Sequence, residues 1–161
     1  MKTNKPLSGK QVYLRHSFPC AEGRCLRGEI TEDDLEKLKQ LVASNEEPDS
    51  EFLRHCFPLS FGPFEARYLN DSRGMWNPEV VREFWVTCHG RNGDEKLNSC
   101  RVEEAAVVKA IVRELKGKGT LVSVMYPGAH DTFFALNIYD IVLTDGDTVR
   151  LHQKVVIEKV S

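Results

Sequence analysis

The apolar residues of this chain change their spacing once. Up to about residue 90 they recur every three or four positions, and from Cys100 onward they come in short runs of valine, isoleucine and phenylalanine between turn residues. The first spacing lays one stripe along a helix, and the second suits short strands. The chain is therefore expected to be α+β, a helical N-terminal unit followed by a small OB-like β-barrel. Residues 1–95 form the helical domain and residues 99–161 the barrel domain. The polar stretch from His89-Gly90 through Asp94 to Asn98 is the hinge.

Within the first unit, residues 9–28 read as helix broken at Pro19, because proline lacks a backbone donor and clashes with the turn before it. Gly28 suits the stop. Thr31-Glu32-Asp33-Asp34 starts the next helix, with Thr31 able to cap it and the acids at the positive end of its dipole. Leu35, Leu38, Leu41 and Val42 give that helix its stripe. Asp49 or Ser50 can cap a short helix through Phe52, Leu53 and Cys56. Ser60 to Leu69 is a weaker helix, interrupted by Gly62-Pro63. Asn77-Pro78-Glu79 opens the last one, whose apolar face is Val80, Val81, Phe84, Trp85 and Cys88. Leu14-Arg15-His16-Ser17-Phe18-Pro19 returns as Leu53-Arg54-His55-Cys56-Phe57-Pro58, which suggests two similar helix ends packed together.

In the second unit Val107 to Val112 is a candidate strand, although Glu103 to Leu115 also has helical propensity. Strands are expected over Thr120–Tyr126, Thr132–Ile138 and Ile141–Leu143, and again after the tight turn Thr144-Asp145-Gly146-Asp147. Many short strands with frequent turns fit a small closed sheet, and closure removes exposed edges.

The bulk numbers exclude several classes. Net charge is −2 with both signs mixed, which is no field for gripping nucleic acid. Phe133, Phe134 and Tyr139 read as core rings before they read as a base-stacking platform. No run reaches the roughly 18 apolar residues of a membrane span, and no apolar stretch follows the basic start, so a cytoplasmic protein is expected. Five cysteines, an odd number, argue for reduced thiols.

His16, Cys20, Cys25, His55, Cys56, Cys88 and His89 have the chemistry for zinc, but Cys20 and Cys25 are spaced one residue wider than favoured, and the adjacent Cys-His pairs diverge on a helix. Cys88-His89 with Asn92 and Asp94 has the residue types of a thiol enzyme. No phosphate loop, nucleophile elbow or His-Glu-x-x-His helix is present, so no catalytic residues are assigned. Phe57, Phe61, Trp76, Phe84 and Trp85 are expected in the helical core or at the seam of the two units.

The final segment, Gly146-Asp147-Thr148-Val149-Arg150-Leu151-His152 followed by Val156-Ile157-Glu158-Lys159-Val160, resembles the closing strands of the HypC/HupF hydrogenase-maturation chaperones. Cys100-Arg101-Val102 resembles the opening of that family. The resemblance implies an OB-like barrel that acts as a chaperone and not as a catalyst. It also implies docking on a hydrogenase-maturation scaffold or hydrogenase large subunit, and iron-fragment binding through Cys100 and His152. Here Cys100 is internal, and Lys154 stands where the family has glycine. The alternatives are a zinc- or thiol-dependent enzyme centred on the helical cysteines and histidines, or an interaction domain that shares only the barrel fold.

Overall fold

The computed structural model describes residues 6–87, 108–114 and 121–160. These form an α+β protein with the helices first and a small mixed sheet after them. The expected hinge falls outside the described residues, as do Cys88, His89 and Cys100.

Helix α1 (Gly9–Ser17) starts at a capping box, Ser8 Oγ accepting from the Gln11 amide while Gln11 Oε1 accepts from the Ser8 amide. Gly9 has no alternative: a Cβ there would stand 1.9 Å from the Trp76 carbonyl oxygen. A 3₁₀ turn at Phe18–Cys20 marks the break at Pro19, and α2 (Ala21–Leu26) ends before Gly28, which has a φ of 73°. Thr31 caps α3 (Glu32–Ser44) in a second box with Asp34. Asp49 caps α4 (Ser50–Cys56). Helix α5 (Pro58–Tyr68) begins at Pro58, two residues before the expected start, and carries Pro63 inside it. Proline suits the first helical turn, where the amide has no partner to lose. Asn77 Oδ1 accepts from the Glu79 amide at the head of α6 (Pro78–Thr87). The two echoed segments both place proline at the start of a new turn, but they differ in burial: His16 is buried and His55 exposed.

The sheet has five strands among the described residues: β1 (Val108–Glu114), β2 (Leu121–Met125), β3 (Phe133–Leu136), β4 (Thr148–His152) and β5 (Val155–Val160). Antiparallel pairs join β1 to β2, β2 to β3, β1 to β4 and β4 to β5. One parallel residue pair, Leu136 with Val155, joins β3 to β5, and beside it the Leu136 amide donates to the Lys154 carbonyl. The propensity of Glu103–Leu115 for helix thus loses to strand pairing over residues 108–114. Ile141–Leu143 is not the expected strand. The Asn137 side chain accepts from the Ile141 amide and donates to its carbonyl, so these backbone groups are satisfied inside a loop instead of a ladder. The turn at Gly146 forms as expected, with a φ of 91° and Asp147 Oδ2 accepting from the Thr144 amide at 2.7 Å. No helix among the described residues is long and apolar enough to cross a membrane.

Two cores result. Val12, Tyr13, Leu53, Phe61, Phe64, Tyr68, Phe84 and Trp85 fill the helical one. Val112, Val122, Val124, Val149, Leu151 and Val156 fill the sheet.

Candidate functional site

Strand alternation should leave every second residue of β4 and β5 facing outward. It does not at their shared end. Leu151 and His152 are both buried, and so are Val155, Val156 and Ile157. Leu151 and Val156 point into the sheet core, whereas Val155 and Ile157 pack with Tyr139 against Phe18 and Val42 of the helical unit. One face of this hairpin is therefore covered by the sheet and the other by helices, which is why the sequence runs Val-Val-Ile without a polar break.

His152 lies in that seam. It ends β4, paired with Val155, and the two-residue turn between them puts Gln153 and Lys154 at φ 53° and 58°. A hairpin this tight needs positive φ at both central positions, a conformation glycine adopts freely and lysine does not. The His152 ring is fully buried, 5.3 Å from the Trp85 ring and 5.7 Å from the His16 ring. His16 in turn stacks on Trp85 at 5.1 Å with 7° between the planes. Three elements, α1, α6 and β4, thus each contribute one ring to a single buried cluster.

Polar contacts also join the helices to the sheet unit. Tyr139 Oη donates to the Arg15 carbonyl at 2.6 Å, and Arg15 Nη1 donates to the Ile157 carbonyl at 3.3 Å. Gln153 Nε2 donates to Cys20 Sγ at 3.1 Å. Glu158 on β5 accepts from Arg82 of α6 at 2.9 Å and also from Arg150 of β4. Burial pushes the Tyr139 hydroxyl well above the usual tyrosine range, so it stays a donor.

Of the residues singled out from sequence, His152 is in this seam, and Cys100 lies outside the described residues. The helical set is dispersed by role. His16 and Cys20 meet the sheet. Cys25 packs half-buried against the helical core. Cys56 is buried in that core, and burial, with help from the Asp34 carboxylate, pushes its thiol up to about 12. A thiol held protonated in this way is a poor nucleophile. His55 is exposed, with Nε2 at 2.9 Å from Asp34 Oδ2. Among the described residues no three His, Cys, Asp or Glu side chains gather as a metal would require. Nothing in the local pattern connected His16 to His152. The unbroken apolar runs around Leu151-His152 and Val155–Ile157 were the available sign that both faces of the hairpin are covered.

The chain matches no family model, no curated protein and no solved structure.

Proposed function

We propose that this is a cytoplasmic accessory protein for the assembly of a nickel–iron hydrogenase or a related metalloenzyme, acting by docking on protein partners. The observation that carries the reading is the closing hairpin. The motif Gly146–Val160, on which the resemblance to HypC/HupF chaperones rests, folds as two antiparallel strands, one entered from the turn at Gly146 and the two joined by the turn at Gln153-Lys154, with His152 at the strand end. The sheet is read as the OB-like barrel of that family. The pairing of β4 with both β1 and β5, and of Leu136 with Val155, supports this.

Docking is further supported by the outer face of β2 and β3, where Leu121, Phe134 and Leu136 are 42, 61 and 41% exposed. Leu121 and Leu136 are directly paired across the two strands. Exposed apolar side chains grouped on one sheet face fit a protein-binding surface. Binding of an iron fragment as cargo, with Cys100 and His152 as the residues the motif carries over, belongs to the same proposal. His152 would then be reached by parting the helices from the sheet, since its ring is fully covered.

Anaerobic affinity purification of the tagged chain from cells that also express a HypD-type scaffold and a hydrogenase large subunit tests the reading. Wild type is expected to retain one of the two, and Phe134→Glu is expected to lose it while keeping the wild-type far-UV spectrum. Recovery of neither subunit by wild type would refute the proposal.

A further inference from the structure

The sheet leaves part of one strand edge open. Between β3 and β5, Leu136 and Val155 are paired, the Leu136 amide donates to the Lys154 carbonyl, and no other pair joins the two strands among the described residues. Successive residues of a strand turn their N–H and C=O alternately toward one neighbour and toward the other. Leu136 turns away from β2, since its amide reaches Lys154, and so does Phe134, two residues before it. The Phe134 amide and carbonyl therefore face the side beyond the start of β5. No backbone hydrogen bond reaches them from that side among the described residues.

Such an edge is a template for another strand, and charges, prolines and bulges normally blunt it. Strand β3 reads Phe-Phe-Ala-Leu, with neither charge nor proline. Its register with β2 is unbroken, whereas the β1–β2 and β4–β5 pairs each carry a shift. The same alternation puts the Phe134 and Leu136 side chains on one face, 61 and 41% exposed, with Ala135 buried between them. An added strand thus gains main-chain bonds to Phe134 and apolar contact with both side chains at once. Charge marks the two ends: Asp131 is exposed just before β3, and Lys154 is exposed beside its last residue.

We propose that the open edge of β3 takes up an extended segment of a partner protein as an added strand. The segment places an apolar side chain beside Phe134, an acidic residue toward Lys154 and a basic one toward Asp131. This rests on the docking function proposed above and specifies what docks, with main-chain pairing supplying affinity and the outer side chains selectivity.

The test uses the uniformly ¹⁵N-labelled full chain and two end-capped peptides, Glu-Val-Val-Val-Lys and its reverse. They bring the acidic residue to Lys154 in the antiparallel and the parallel orientation respectively. One of the two is expected to shift the Phe134 amide to saturation and to slow its exchange with solvent. Methylating the central amide nitrogen of that peptide, or those of both flanking valines, should give different results. The set that faces β3 costs at least about tenfold, the worth of a lost hydrogen bond with its partner left unpaired, and the other set costs little. Lys154→Glu is expected to weaken the preferred peptide a few-fold through its acidic end. Pairing of a peptide when the purification above recovers neither subunit would uphold the edge and refute the named partners. Absence of a saturable shift with either peptide, even where the scaffold is retained, would overturn the added strand. Equal weakening by the two methylated forms would overturn it too. So would a Phe134 shift that follows protein concentration in the chain alone, which would give the edge to a second copy.

Discussion

The helical unit and the sheet are filled with different materials. Tyr13, Phe61, Phe64, Trp76, Phe84 and Trp85 contact one another at centroid distances of 5.2 to 6.2 Å, several of them edge to face. The sheet core consists of alanines, valines and leucines, with Phe133 only packed against it from the side. Large rings bury much area per residue and fix their neighbours' orientation, which lets six short helices hold one arrangement. Small aliphatic side chains fill a five-strand sheet but bury little area each. The sheet makes up the difference by giving the second face of its β4–β5 hairpin to the helices. The two units thus share a hydrophobic seam, and the sheet is expected to depend on the helical unit for its stability.

That dependence can be broken from the helical side. Trp85→Ala removes a ring belonging to the helical core and to the seam at once. It is expected to cost about 3–5 kcal/mol and to lower the protection of β4 and β5 amides together with those of α6, measured by hydrogen exchange. Loss confined to the helices would show that the sheet stands alone.

Glu158→Gln acts on the polar half of the seam. Glu158 is 12% exposed, and its partners Arg82 and Arg150 are 23 and 14% exposed. Removing the charge takes the counter-ion from Arg150 and leaves Arg82 with Glu79 alone, for an expected loss of about 2 kcal/mol in denaturant unfolding, less than for a fully buried pair.

Acid sharpens the contrast within the helical unit. Burial raises the Asp34 carboxyl, but hydrogen bonds from the Thr31 amide and hydroxyl and from His55 outweigh it and hold it below the usual range. Stability from a depressed carboxylate is present above its unfolded value and lost as pH falls through the folded one. Unfolding followed below about pH 4 should therefore show a stability loss that is reduced in Asp34→Asn.

The smallest effect is expected in the sheet. Lys154→Gly relieves a left-handed backbone that costs about 1 kcal/mol for a residue with a Cβ, so the midpoint of denaturant unfolding should rise slightly. A fall would mean that the Lys154 side chain has a role in holding the turn.

Where structure is local, the sequence was readable. The caps at Thr31, Asp49 and Asn77, the break at Pro19 and the turn at Gly146 all depend on hydrogen bonds or φ values set within a few residues. Where a second local signal competed, or where elements distant in sequence meet, it was not. Ile141–Leu143 has strand composition, yet the side chain of Asn137 satisfies its backbone first. Pro63 made α5 look doubtful, but Pro58 supplies a preformed first turn ahead of it. At the candidate site, the motif around His152 could be recognised from its spacing. Its partners His16 and Trp85 could not, because 136 and 67 positions of chain separate them from it and only the folded seam brings the rings together.

The covering of His152 is the central claim, and histidine modification by diethyl pyrocarbonate at neutral pH, read residue by residue by mass spectrometry, tests it most directly. His55 and His130 are exposed, and His16 and His152 fully buried. His55 and His130 are expected to react quickly while His16 and His152 stay protected until the protein unfolds. Modification of His152 in the native protein at the rate of His55 would contradict the sealed seam.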